Sequence, residues 1–78
     1  MDYESERKQD IINILRENGP MVWEKILTEL KKGGNYENLQ KEELEQILRD
    51  MKKDDGSIEK IILLDENSKQ REFWKIKT

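Results

Sequence analysis

The chain has 78 residues, of which 42% are charged and 33% hydrophobic, and its 15 basic and 18 acidic side chains give a net charge of −3. This length suits one small domain with a single modest core. The sequence contains neither cysteine nor histidine. Disulfides are therefore excluded, and we expect no metal site and no cofactor, because the usual thiolate and imidazole ligands of zinc are missing.

The composition also bears on membrane and enzyme functions. The longest wholly apolar run is "IILL", residues 61–64, far shorter than a membrane span. The N-terminal stretch "MDYESERKQD" is polar and has no signal-peptide core. We therefore expect a soluble intracellular protein, in cytoplasm or nucleus, without membrane contact. We expect no enzyme, because no apolar setting would tune a carboxylate and no glycine-rich phosphate loop follows a strand.

The first predicted element is a helix over residues 6–18. Residues 1–4 are predicted to be a flexible lead, and residues 5–78 a single domain. Ser5 can cap the helix, whose apolar stripe repeats at helical spacing. Gly19 is predicted to end it as a left-handed cap, with proline directly after.

Two further helices are predicted over residues 23–32 and 41–53. Met21 and Val22 could form a very short strand ahead of the second helix. That helix is predicted to stop at Gly33–Gly34, and the third at the "DDG" of residues 54–56. Each has an apolar stripe at helical spacing.

After the third helix the apolar period changes from 3.6 residues to two. "SIEKIILL" and "REFWKIKT" predict strands over residues 57–64 and 71–77, joined by a polar loop. A lone hairpin is marginally stable in water, so it must pack against the helices. The predicted fold class is α+β, a winged helix-turn-helix with three helices followed by a two-stranded wing.

The stretch "KEELEQILRDMKKDDGSI", residues 41–58, resembles the winged helix-turn-helix superfamily. It has a third helix ending in an apolar–basic–basic turn, followed by Asp–Gly and an apolar strand. The resemblance covers residues 6–78. In members that bind DNA, the third helix enters the major groove and the wing reaches a neighbouring groove or the backbone. It implies a role in transcription or replication.

Steps of about 100° per residue divide the third helix into two faces. The inward face holds Leu44, Ile47, Leu48 and Met51. The outward face holds Glu42, Gln46, Arg49 and Lys53, with Glu45 beside them. Gln46 can pair with adenine and Arg49 with guanine. Glu42 and Glu45 oppose this interpretation, because they occupy the half of the helix that normally goes deepest into the groove. The alternative is a solvated helix face.

The DNA-binding hypothesis places Gln46, Arg49 and Lys53 in the groove. Five basic side chains would then hold phosphates: Lys31, Lys32, Lys69, Arg71 and Lys75. The net negative charge argues against this hypothesis, because neutralised phosphates supply most non-specific affinity. The wing lysines could instead be edge-strand residues that discourage aggregation.

The competing hypothesis is a protein interface or a homodimer. Alternation places Trp74 and Ile76 on the helix-facing side of the wing, opposite Ile58, Ile62 and Leu64. Ile61, Leu63 and Phe73 would then point outward and leave apolar surface exposed, unless strand twist or the N-terminal segment covers it. The candidate partner interface is Glu42, Glu45, Ile61, Leu63 and Phe73.

The ending "REFWKIKT" is also similar to the wing of Z-DNA-binding winged helices, with Trp74 as the wing tryptophan. Glu45 and Arg49 stand where that family has asparagine and tyrosine, and Glu72–Phe73 replaces its proline pair. A structural core role for Trp74 is the alternative. The layout and acidity also resemble protein-binding winged helices of replication proteins. These are the C-terminal domain of the middle subunit of the eukaryotic single-strand-binding heterotrimer and the C-terminal domains of archaeal replicative helicases.

Overall fold

The computed structural model describes residues 3–32 and 36–77, with side chains from residue 5 onward. It contains three α-helices and two strands: α1 (Tyr3–Asn18), α2 (Trp23–Lys32), α3 (Lys41–Asp50), β1 (Ile58–Leu64) and β2 (Gln70–Ile76). The strands form an antiparallel hairpin, which we call the wing. The predicted α+β layout of three helices followed by a two-stranded hairpin is confirmed.

The predicted start of α1 is wrong by three residues. The helix begins at Tyr3 rather than at residue 6, so Ser5 lies inside its first turn and does not precede it. Of the predicted flexible lead, residues 1 and 2 lie outside the described ranges. The predicted end is confirmed, because Gly19 has a φ of +75° and its N–H donates to the carbonyl of Leu15 at 2.8 Å.

The third helix ends differently from the prediction. α3 runs directly into a π-helical turn, Met51–Asp55, which extends the helical segment two residues beyond the predicted end at residue 53. Gly56 stops it with a φ of +63°, and its N–H donates to the carbonyl of Met51. Lys8 of α1 pairs with Asp55 at 3.0 Å, which ties the turn to the first helix. The predicted stop of α2 at Gly33–Gly34 lies outside the described residues.

A one-residue strand attaches the wing to the helices. Met21 exchanges two backbone hydrogen bonds with Trp74, at 2.9 and 2.7 Å. β2 therefore lies between Met21 and β1, and α2 starts two residues after the bridge. The very short strand predicted at Met21–Val22 is confirmed at Met21.

The core lies between the three helices and the base of the wing. Its members are the buried apolar side chains Ile11, Leu15, Met21, Ile26, Leu30, Leu39, Leu44, Ile47, Leu48, Met51, Ile58 and Trp74. All four residues of the predicted inward face of α3 and its continuation belong to this set. Of the wing residues, Ile58 and Trp74 belong to this buried set, and the partly buried Ile76 packs against it.

Substitution of a buried and an exposed leucine tests this account of the core. Leu48→Ala should lower the free energy of unfolding by about 2–5 kcal/mol, because Leu48 is 0% exposed and its loss leaves a cavity. Leu64→Ala is the matched control, and we expect a change below about 0.5 kcal/mol at this exposed site. Urea denaturation measures both values. Equal losses at the two sites would contradict the packing described here.

Candidate functional site

The outer face of α3 carries the polar side chains that the sequence assigned to it. Glu42, Gln46 and Arg49 are exposed, and Lys53 is exposed on the π-helical turn that follows. Glu45 is half-buried because it faces the wing. The assignment of these residues to the solvent side of the helix is therefore correct.

Hydrogen bonds within the helix occupy Gln46 at both ends of its amide. Its Nε2 donates to Asp50 Oδ1 at 2.9 Å, and its Oε1 accepts from Arg49 Nη2 at 3.3 Å. One N–H of Nε2 and one lone pair of Oε1 remain for any base contact by Gln46. No ion pair occupies the other N–H groups of the Arg49 guanidinium, because no carboxylate of the described residues lies within ion-pair distance of it.

The charge around this face is predominantly negative. Four carboxylates belong to α3: Glu42, Glu43, Glu45 and Asp50. Arg49 is the basic residue of the last turn of α3, and Lys41 stands at its start. Over residues 41–77, which include α3 and the wing, the sequence has nine basic and ten acidic residues. A phosphate backbone laid along this surface would meet no net positive charge.

A groove separates α3 from the wing. It is lined by Trp23, Glu45, Arg49, Lys60, Glu72 and Trp74. The ammonium of Lys60 lies 5.2 Å from the centre of the Trp74 ring, and that of Lys41 lies 4.9 Å from the Trp23 ring, distances at which cation–π attraction operates. Trp74 is 6% exposed, so the core interpretation of this residue is confirmed.

Glu45, Arg49 and Trp74 correspond to the positions that carry the Z-DNA-binding resemblance, and the fold brings them to the same groove. Lys60 is already engaged there, since its ammonium pairs with Glu72 at 3.4 Å. The groove thus presents paired charges around two indole rings. The sequence reasoning missed Trp23 as a neighbour of the wing, because its helical spacing indicated only a core residue.

Arg71 is bound to α2. Its Nη2 donates to both carboxylate oxygens of Glu24, at 2.7 and 2.6 Å. Hydrogen bonding to Glu24, with the attraction of Glu24 and Asp65, raises the pKa of the Arg71 guanidinium above its ordinary value despite some desolvation. Arg71, predicted to hold a phosphate, instead fastens the wing to the first turn of α2.

The other predicted phosphate contacts are scattered. Lys75 pairs with Glu59 across the hairpin at 3.3 Å, and Lys32 pairs with Glu29 at 2.6 Å. Lys31 and Lys32 end α2 about 12 Å along its axis from Trp23, away from the groove. Lys31 and Lys69 are exposed and show no ion pair within the described part of the chain. The same holds for Lys53, which was predicted to enter the groove. The predicted cations do not form one basic patch.

The exposed apolar surface of the wing differs from the prediction. Ile61, Leu63 and Phe73 share one face as expected, but Ile61 and Phe73 are half-buried. Phe73 and Arg71 line a groove beside Val22 and Lys25 at the start of α2, which explains the partial cover of Phe73.

The exposed large apolar side chains of the described residues are instead consecutive on β1. Ile62 is 57% exposed, Leu63 41% and Leu64 64%. Ile62 and Leu64 belong to the face whose base packs on the helices, but the helices do not cover that face at these two positions. The molecule is elongated, at 41 × 25 × 23 Å. The uninterrupted "IILL" run was the available sequence signal, because an alternating strand would have placed polar residues there.

The described residues also bear on metal binding and on membrane insertion. No group of three or more acidic side chains in the described ranges is arranged to hold a metal ion. Within those ranges no helix has both the length and the apolar character needed to cross a membrane.

The Glu24–Arg71 contact predicts a measurable change in the wing. In Glu24→Gln the guanidinium loses its charged acceptor, so we expect the Arg71 Nη2–H signals in ¹⁵N NMR spectra to exchange faster with water. Glu66→Gln is the matched control, because Glu66 pairs with Lys25 and not with Arg71. Unchanged exchange in Glu24→Gln, with the fold intact, would argue against this contact in solution.

No family model, no curated protein and no solved structure matches the chain. The order of three helices and an antiparallel hairpin is consistent with a winged-helix layout.

Proposed function

We propose that the chain is a non-enzymatic winged-helix binding module that acts through a protein interface on the distal half of its wing. The observation that carries the proposal is the exposure of three consecutive large apolar residues, Ile62, Leu63 and Leu64. Winged-helix membership is part of the proposal and is supported by the order of the elements.

Exposure of the apolar side chains of this strand to water is unfavourable in free energy. Isolated exposed leucines are ordinary on protein surfaces, whereas contiguous exposed apolar side chains mark sites of association. Ile62, Leu63 and Leu64 follow one another along β1 and are all exposed, so a partner can reach the three side chains from solvent. Burial of such side chains stabilises a complex by roughly 25 cal/mol for each Å² removed from water.

The charge distribution supports a protein partner over a nucleic acid. The wing cations Lys60, Arg71 and Lys75 each face a carboxylate within 3.4 Å. A duplex would have to displace these carboxylates before it gained the release of counterions that drives phosphate binding. An apolar interface needs no such exchange, because it forms without any of these side chains.

Contact with DNA through Arg49 is the second candidate function. Its supporting observation is that the Arg49 guanidinium is exposed in the last turn of α3 and has no carboxylate partner among the described residues. Arg49 also lines the groove between α3 and the wing. In this candidate Arg49 reads a guanine, and Lys53 enters the same groove.

A photo-cross-linking experiment tests the protein interface. Leu64→benzoylphenylalanine, expressed in the native cells, should form adducts several-fold more abundant than the same photoreactive residue at Glu17. Glu17 is the matched control because it is exposed near the end of α1. The masses of the adducts distinguish a second copy of the chain from another protein. Equal adduct yields at positions 64 and 17 would overturn the proposal.

Titration of the ¹⁵N-labelled protein with a random-sequence duplex tests the second candidate. We expect shifts confined to α3 and the wing at low salt, reversed as salt rises. Arg49→Ala should weaken binding by about 1–3 kcal/mol, whereas Arg16→Ala, an exposed control on α1, should leave it unchanged. A spectrum that does not respond to duplex at low salt would rule this candidate out.

A further inference from the structure

We propose that the outer edge of β1 binds an extended segment of another protein, which joins the wing as a third strand antiparallel to β1. Three consecutive apolar residues of that segment lie opposite Ile62, Leu63 and Leu64, and an acidic residue lies opposite Lys60. This binding mode rests on the protein interface proposed above and adds the chemistry of its partner.

The hydrogen bonds of β2 reveal which backbone groups of β1 are free. Trp74 directs its N–H and its carbonyl to Met21, and hence away from β1. Opposite residues of an antiparallel pair direct these groups either toward each other or both outward, so Lys60, opposite Trp74, directs its own to the outer edge. The direction alternates along a strand, and Ile62 and Leu64 therefore share the direction of Lys60.

The bonds at the two ends of the hairpin agree with this alternation. The N–H of Asp65 donates to the carbonyl of Lys69 at 2.9 Å, and that of Lys77 to the carbonyl of Ser57 at 3.1 Å. Odd-numbered residues of β1 thus face β2, and even-numbered residues face outward. The outward groups in the distal half of β1 have no pairing partner within the described residues.

Ile62 and Leu64 therefore present two kinds of surface that an extended chain satisfies together. Their side chains are exposed, as is that of Leu63 on the opposite face, and their N–H and carbonyl groups point to the open edge. An added strand supplies hydrogen bonds to these groups and apolar side chains on both faces. A helix docked on the same side chains would leave the backbone groups without partners, which is unfavourable once water is excluded.

The distal half of β1 has none of the features that usually guard an edge. β1 and β2 pair over seven consecutive positions without a bulge, and residues 61–64 include neither proline nor a charge. Toward the base of β1 the edge closes, because Ile58 is buried in the core. An added strand therefore runs from the position opposite Leu64 to that opposite Lys60, about five residues, which is a usual strand length.

Charge complementarity identifies the residue opposite Lys60. Side chains on the face of Lys60 point to the groove between α3 and the wing, which Lys60 and Arg49 both line. Two carboxylates of this groove already have cations, since Glu72 pairs with Lys60 at 3.4 Å and Glu45 with Lys41 at 4.0 Å. Arg49 has no carboxylate partner in the described part of the chain, so an acidic side chain of the partner meets an unpaired cation here.

A second copy of the chain is a poorer occupant, because β1 does not supply this pattern to itself. When two antiparallel strands are related by a two-fold axis normal to the sheet, the axis passes through a residue of the strand. An axis at Leu63 sets Ile61 opposite Asp65, which lies in the turn. An axis at either of the two preceding residues sets Lys60 opposite an apolar residue. Each register thus opposes a charge to an apolar side chain.

Hydrogen exchange of the free protein tests the edge itself. We expect the amides of Ile62 and Leu64 to exchange at least about tenfold faster than those of Ile61 and Leu63, which face β2. The rates should not depend on protein concentration. Protection of Ile62 and Leu64 that increases with concentration would place a second copy on the edge and overturn the proposal.

A synthetic peptide of sequence KTVIVTEK carries the inferred pattern. Antiparallel pairing, the more stable orientation, sets its VIV segment opposite residues 62–64 and its glutamate opposite Lys60. Addition of the peptide at millimolar concentration should slow the exchange of the Ile62 and Leu64 amides at least about threefold. It should leave Ile61 and Leu63 unchanged, since their N–H groups already face β2. A peptide that leaves the outward amides unprotected would overturn the proposal.

Methylation of the peptide backbone distinguishes strand pairing from apolar contact alone. The N–H of the second valine points to Ile62, whereas that of the isoleucine points away from β1. Methylation of the second valine nitrogen should weaken binding about tenfold, because a hydrogen bond of the edge is lost. Methylation of the isoleucine nitrogen is the matched control and should change the affinity little. Equal affinities of the two methylated peptides would refute strand pairing.

A pair of substitutions tests the acidic position. Replacement of the peptide glutamate by glutamine should weaken binding to the natural chain about two- to fivefold, the range of an exposed ion pair. In Arg49→Ala both peptides should bind equally, because the unpaired cation is gone. Arg16→Ala, at an exposed site on α1, is the matched control and should keep the preference for glutamate. A preference that persists in Arg49→Ala would refute the contact with Arg49.

These outcomes separate the strand pairing from the proposed function. A chain that does not bind the peptide, but whose residue 64 still cross-links to a different protein, overturns strand pairing and leaves the wing as a protein interface. A chain that gives neither peptide binding nor specific adducts at residue 64 overturns both.

Discussion

The two hydrogen bonds between Met21 and Trp74 determine the position of the wing. They join the segment before α2 to the middle of β2, so the base of the hairpin is held against the core, while Ile62, Leu63 and Leu64 in its far half are exposed. Trp74 is buried at this point and fills the space between the wing and the helices. Because the bridge uses the outer backbone groups of β2, it also determines which groups of β1 remain free.

The packing of the charged side chains follows from this attachment. With β2 beside the start of α2, Arg71 reaches Glu24 and is held by two hydrogen bonds. Other basic side chains of the wing meet acids across the hairpin, as Lys75 meets Glu59. The sequence has nearly equal numbers of basic and acidic side chains, and many of them thus pair with a nearby opposite charge. Surface ion pairs add little stability individually, but together they leave the wing without a basic face.

The same geometry separates two surfaces of different character. The outer face of α3 is polar, acidic and internally hydrogen-bonded through Gln46. The distal edge of β1 is apolar and has unpaired backbone groups at Ile62 and Leu64. A nucleic acid could contact the outer face of α3 only through Arg49. The distal edge of β1 instead suits an extended strand of a protein.

The sequence by itself determined the order of the elements and most of the core, because the apolar period and the glycine stops are local signals. Gly19 and Gly56 end their helical segments with positive φ as their positions predict, and the inward stripe of α3 is the buried one. The start of α1 and the π-helical turn after α3 were not predicted, since both depend on backbone geometry that no side-chain pattern encodes. Tertiary structure alone decided which apolar residues of the wing are exposed. Ile62 and Leu64 share a face with the buried Ile58, and alternation cannot reveal where the helices stop covering that face. It also decided which charges meet, because Glu24 and Arg71 are 47 residues apart in the chain and only the folded backbone brings them together.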